Sequence, residues 1–116
     1  MEDVTDHVFR DLIAGLGAPD LFFTEFTLAD VVAGIDVEAC AQAANRPGGG
    51  GASRAEAAAG GRRLPGRLRR GRHDSPLVAQ IWGTKPEVYR RAAENLRALG
   101  FDGVDINMGC PIRKIR

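Results

Sequence analysis

Aromatic side chains are scarce in this sequence: one tryptophan, one tyrosine and five phenylalanines in 116 residues. Reactive and metal-ligating side chains are scarcer still, with two cysteines, Cys40 and Cys110, and two histidines, His7 and His73. No CxxC pair and no Cys/His ligand spacing occurs, so no zinc site and no metal is expected. Both histidines stand alone and read as surface residues. Two thiols in a chain whose N-terminus, "MEDVTDHVFR", is acidic and lacks an apolar h-region fit a reducing cytoplasm. No apolar run approaches the ~18 residues that span a membrane. Net charge is only +1, which removes any global attraction to nucleic acid or lipid. That average conceals a split. Residues 46–75 hold eight arginines against Glu56 and Asp74, about +6, and the remainder carries eight bases against thirteen acids, about −5.

What is present is a helix–strand alternation. In "DVTDHVFRDLIAGLGAPD", Thr5 or Asp6 can cap a helix by accepting its orphan N–H groups. Val8, Phe9, Leu12, Ile13 and Leu16 recur at helical spacing, and Gly17 and Pro19 end the pattern. "LFFTEF" has β character. "LADVVAGIDVEACAQAA" is weakly helical with a flaw at Gly34, and Cys40 reads there as a small buried hydrophobe. "PLVAQIWG" is an almost wholly apolar strand of the buried kind. "KPEVYRRAAENLRALGFD" is the strongest helix: Pro86 and Glu87 suit its first turn, Val88, Ala92, Leu96 and Leu99 form its apolar stripe, and Gly100 stops it. "GVDIN" is a further short strand, and "MGCPIRKIR" is loop. Strands alternating with helices predict parallel βα units.

Between these halves lies "NRPGGGGASRAEAAAGGRRLPGRLRRGRHDS". Its only large apolar residues are Leu64 and Leu68, too few to offset the entropy of ordering the chain. The reading is three parts: 1–44, a low-complexity basic linker over 45–75 without fixed structure, and 76–116. The linker's arginines invite RNA, but no aromatic is interleaved for base stacking.

Glu25, Gln80 and Asn107 stand near the carboxyl ends of otherwise apolar strands, where α/β folds build their sites. A buried amide or carboxylate without a partner costs about 1–3 kcal/mol, so three such groups point to a polar ligand or to structural hydrogen bonds. Cys110 lies just beyond Asn107, between Gly109 and Pro111. It can be a buried hydrophobe, a thiolate nucleophile, or a general acid, since a free thiol with a pKa near ~8.5 is mostly protonated at neutral pH. No histidine is near in sequence to activate it, which makes the acid the simpler of the two chemical roles.

"MEDVTDHVFR", "FFTEFT" and "PLVAQIWGTKPEVYRRAAENLRALGFDGVDINMGCPIRKI" together resemble, in order, the N-terminal half of the tRNA-dihydrouridine synthases. The resemblance covers about two thirds of the chain, and "DINMGCP" with an upstream "QIWG" is its most specific part. It implies a TIM barrel, so the chain is expected to be α/β, a partial TIM (β/α)8 barrel of about half the barrel, and the Gly/Arg-rich insert that composition reads as disordered departs from the ordered loop and helix of the family. It implies reduction of the uracil C5–C6 double bond in tRNA with FMN as cofactor and NADPH as reductant. By match, Cys110 is the proton donor, Gln80 bonds the flavin ring, Met1 and Glu2 lie against FMN, Asn107 lies near the uracil, and Lys114 lies near the RNA. The FMN barrels of the dihydroorotate dehydrogenase type are the rival, although their loop reads Ser-Cys-Pro-Asn where this chain has Gly109-Cys110-Pro111-Ile112. An inactive remnant with non-specific RNA affinity is the other alternative. The sequence departs from the family in lacking the first strand and everything beyond the fourth, which predicts a truncated, loosely packed piece. Because Gly, Ala, Arg and Pro have GC-rich codons, a shifted reading frame is expected over the linker.

Overall fold

The computed structural model describes residues 4–44, 64–74 and 76–109. Asp6 caps the first helix, α1 (His7–Gly17), by accepting the Phe9 N–H at 3.0 Å. Two short strands follow, β1 (Phe22–Phe23) and β2 (Thr27–Leu28). The weak helical region is two helices, α2 (Ala29–Ala33) and α3 (Val37–Ala44), broken at Gly34. After a 3-10 turn, Gly66–Leu68, come β3 (Leu77–Trp82), α4 (Pro86–Ala98) and β4 (Gly103–Ile106). Gly100 closes α4 with a φ of 84°, a left-handed angle that a side chain would strain.

All pairing is parallel. β3 is central, with β4 along one side and β1 and β2 in series along the other. Between β1 (Phe22↔Leu77) and β2 (Thr27↔Ile81) the register slips by one residue, a β-bulge at 24–26. Thr24 repairs the ladder there, donating its N–H to the Val78 carbonyl and accepting the Gln80 N–H on its hydroxyl at 3.1 Å.

β3 is not buried on both sides as its apolar run suggests. Leu77, Ala79 and Ile81 are fully buried and join Phe22, Val32, Ala92, Leu96 and Phe101 in the core. Val78, Gln80 and Trp82 alternate with them on the opposite pleat and stay partly exposed. Parallel strands with crossover helices are compatible with part of a barrel.

The apolar stripe of α1 lies largely outward, with Val8 62% exposed and Leu16 81%, while Ile13 packs against the core. The one buried residue of the helix is Arg10. Its guanidinium binds Asp74 and the backbone carbonyls of Thr5 and Arg69, and those bonds set the rotation of the helix. Residues 64–74 are not linker. Leu68 is fully buried, Leu64 packs against the core, and Arg67 donates to the Phe26 carbonyl across the bulge. Arg70 donates to the Gly100 and Asp74 carbonyls and lies over the Phe101 ring. Low hydrophobic content is offset by one well-placed leucine and by arginines used as hydrogen-bond donors. The rest of that expectation, 45–63, lies outside the described residues. Leu68→Ala is therefore expected to cost about 2–5 kcal/mol by leaving a cavity, measured as a lower urea midpoint; an unchanged midpoint would return 64–74 to the status of a linker.

Candidate functional site

The strand ends collect polar side chains on the face of β3 away from the core. β3 and β4 pair so that Gln80 stands opposite Asp105, and the alternation that turns Ala79 and Ile81 inward turns these two the other way. The Gln80 Nε2 donates to Asp105 Oδ2 at 2.6 Å. Asn107, two residues on and thus on the same pleat, donates from Nδ2 to Gln80 Oε1 at a long 3.4 Å. Its backbone N–H donates to the Ile81 carbonyl at 2.8 Å, which ties the start of the loop to the sheet. Its Oδ1 accepts the N–H of Gly109 at 3.0 Å. All three side chains are partly exposed, so a ligand can reach them.

Of the residues singled out in the sequence, Gln80 and Asn107 are thus brought together. Met1, Glu2, Cys110 and Lys114 lie outside the described residues. Glu25 is buried, and its Oε1 accepts the N–H groups of Val4 at 2.5 Å and Thr5 at 2.7 Å. It anchors the N-terminal segment to the bulge, and the structural alternative is the one these bonds support. His73 is exposed as expected, whereas His7 is half-buried. Cys40 is a partly buried free thiol against the core. Asp105 was missed. Sharing a face with Asn107 follows from the two-residue period, but its place opposite Gln80 comes from the cross-strand register, which the sequence alone does not carry.

Among the described residues no group of three or more His, Cys, Asp or Glu side chains could hold a metal ion. No helix there is long and apolar enough to cross a membrane.

Comparison with known proteins gives one consistent result. The family model described as "Dihydrouridine synthase (Dus)" matches residues 56–116. The "Probable tRNA-dihydrouridine synthase 2" of Bacillus subtilis (strain 168) is 39% identical over 115 residues, 99% of this chain and 28% of the relative. A "Probable tRNA-dihydrouridine synthase" of Staphylococcus aureus (strain COL) is 37% identical with the same coverage, as is one from Staphylococcus epidermidis (strain RP62A). The chain therefore spans about 28% of the length of the curated relatives it matches. No solved structure matches it. The family match starts at residue 56, inside the arginine-rich stretch, which argues against a shift of frame across its whole length.

Proposed function

The chain belongs to the dihydrouridine synthase family, and we propose that it carries the strand ends that hold flavin and uracil in an FMN-dependent tRNA-dihydrouridine synthase. Membership narrows the choice against the dihydroorotate dehydrogenase type of barrel. The observation that carries the reading is the Gln80–Asn107 pair, held by Asp105 on the open face of the sheet and leading directly to the Met108-Gly109-Cys110 loop.

The residues present suit the ring edge of a flavin. Gln80 offers an amide, with both donor and acceptor character, from a strand fixed by ladders on both sides. Gln80 and the segment before Val4 would hold FMN, which when bound and reduced by NADPH would supply the hydride for the uracil C5–C6 double bond. The chain's own residues bind and protonate. Gln80 bonds the flavin ring, and Asn107 orients the uracil. Cys110 gives the proton to the second carbon. Met1 and Glu2 would contribute to FMN binding, next to a segment that Glu25 holds at Val4 and Thr5. Lys114 meets the tRNA backbone. The arginines of 64–74 do not favour a remnant that merely attracts RNA, since Arg67 and Arg70 are engaged within the fold.

The test is flavin binding by the purified chain. FMN is expected to associate with it, and Gln80→Leu to weaken that association by about tenfold, the worth of one hydrogen bond to the ring, read by quenching of flavin fluorescence. Equal quenching by both proteins would remove Gln80 from the flavin site.

A further inference from the structure

We propose that Asp105 is a positioning residue that fixes the direction of a hydrogen-bond chain from the loop after β4 to Gln80. It thereby decides which atoms the two amides present to a ligand. The inference rests on reading this face as the flavin and uracil site, but its geometry does not.

The chain has four members. The Gly109 N–H donates to Asn107 Oδ1, Asn107 Nδ2 donates to Gln80 Oε1, and Gln80 Nε2 donates to Asp105 Oδ2. Each end is chemically one-way. A backbone N–H only donates, and an ionised carboxylate only accepts. The two amides between them are symmetric in shape and could each be reversed. Reversing Gln80 alone would set its carbonyl oxygen against the carboxylate and its NH₂ against the Asn107 NH₂. Reversing Asn107 alone would set its NH₂ against the Gly109 N–H and its oxygen against Gln80 Oε1. Reversing both together still leaves a clash of like groups at each end. One arrangement satisfies every link, and the carboxylate imposes it on the side of Gln80. The register opposes Asp105 to Gln80, so this does not depend on a flexible loop.

The consequence is a defined polarity. Each amide nitrogen has two hydrogens and spends one within the chain, so Gln80 and Asn107 each keep one N–H. The nitrogens are thus set to meet a ligand's carbonyl oxygens or unprotonated ring nitrogens, and the oxygens, each with a second lone pair, its N–H groups. It also links the residue assigned to the flavin with the residue that precedes Cys110.

Asp105→Asn tests this, because an asparagine has the same shape but can also donate, which lifts the constraint at the Gln80 end and leaves the Gly109 N–H as the one remaining one-way terminus. On the full chain, the side-chain amide resonances of both Gln80 and Asn107 are expected to shift in ¹⁵N spectra, although no hydrogen bond joins Asn107 to residue 105. FMN affinity is expected to fall about tenfold. Unshifted Asn107 signals, or an undiminished affinity in a variant with a native backbone spectrum, would overturn the inference. If the variant does not fold, the wild-type chain decides. A scalar coupling between Gln80 Nε2 and the Asp105 carboxyl carbon supports the chain of bonds, and its absence refutes it. If the wild-type chain binds no FMN, the flavin reading fails while the amide resonances still judge Asp105.

Discussion

Replacing Arg10 by alanine is expected to lower the stability of the fold by about 3–5 kcal/mol, the effect of breaking a buried ion pair by removing one partner. The Arg10 and Asp74 side chains are 3% and 0% exposed, and one carboxylate oxygen, Asp74 Oδ2, meets Arg10 Nε at 2.8 Å and the terminal nitrogen at 2.7 Å. That oxygen also accepts the Gly71 N–H at 2.8 Å. Without the guanidinium, a carboxylate stays buried with its main counter-charge gone, and the carbonyls of Thr5 and Arg69 lose their donor. The pair joins segments more than sixty residues apart, so α1 and residues 64–74 are expected to lose protection from hydrogen exchange together. Desolvation argues for a control. Arg10→Met combined with Asp74→Leu leaves no orphaned charge and should cost less than the sum of the single changes. The measurements are urea midpoints for the wild-type chain, Arg10→Ala, Arg10→Met, Asp74→Leu and the double variant. Additive losses, or an Arg10→Ala loss comparable to that of an exposed pair such as Arg90–Glu94, would mean that the pair does not hold α1 in place.

The parts of this fold legible in the sequence are those where local signals and burial agree. The Asp6 cap, the break at Gly34, the stripe of α4 with its Gly100 stop, and β3 and β4 all stand where pattern and turn chemistry put them. Legibility fails where a long-range polar contact outweighs periodicity. Nothing local announces that Arg10, rather than Val8 or Leu12, faces inward, because its partner Asp74 lies in a stretch whose composition resembles a linker. The same holds for 64–74, where composition counts residues but a single leucine in the right place fills the core. In the site, Gln80 and Asn107 were legible as amides at strand ends. Asp105 was not, since its importance comes from the cross-strand register, which fixes it opposite Gln80. The bulge is similar: the slip that brings the Thr24 hydroxyl to the Gln80 N–H exists only in the pairing.

Changing Cys110 to alanine is expected to lower dihydrouridine formation by about 10²–10⁴-fold, the usual worth of a positioned general acid. The described part of the loop supports a fixed approach to that residue. Asn107 is tied to β3 through its backbone, and the N–H of Gly109, the residue preceding Cys110, is tied to the Asn107 side chain. Alanine would remove the proposed proton donor but none of these bonds, so FMN binding is expected to stay within about twofold, well under the tenfold of one hydrogen bond. This split between binding and chemistry separates Cys110 from Gln80, whose loss acts on binding. It also separates a proton donor from a small buried hydrophobe, whose truncation to alanine would disturb stability and leave turnover per bound flavin unchanged. The assay is mass spectrometry of nucleosides from an unmodified tRNA incubated with the chain, FMN and NADPH. Dihydrouridine appearing as fast with the alanine variant as with the wild-type chain would sink the assignment, and the proton would then have to come from another group.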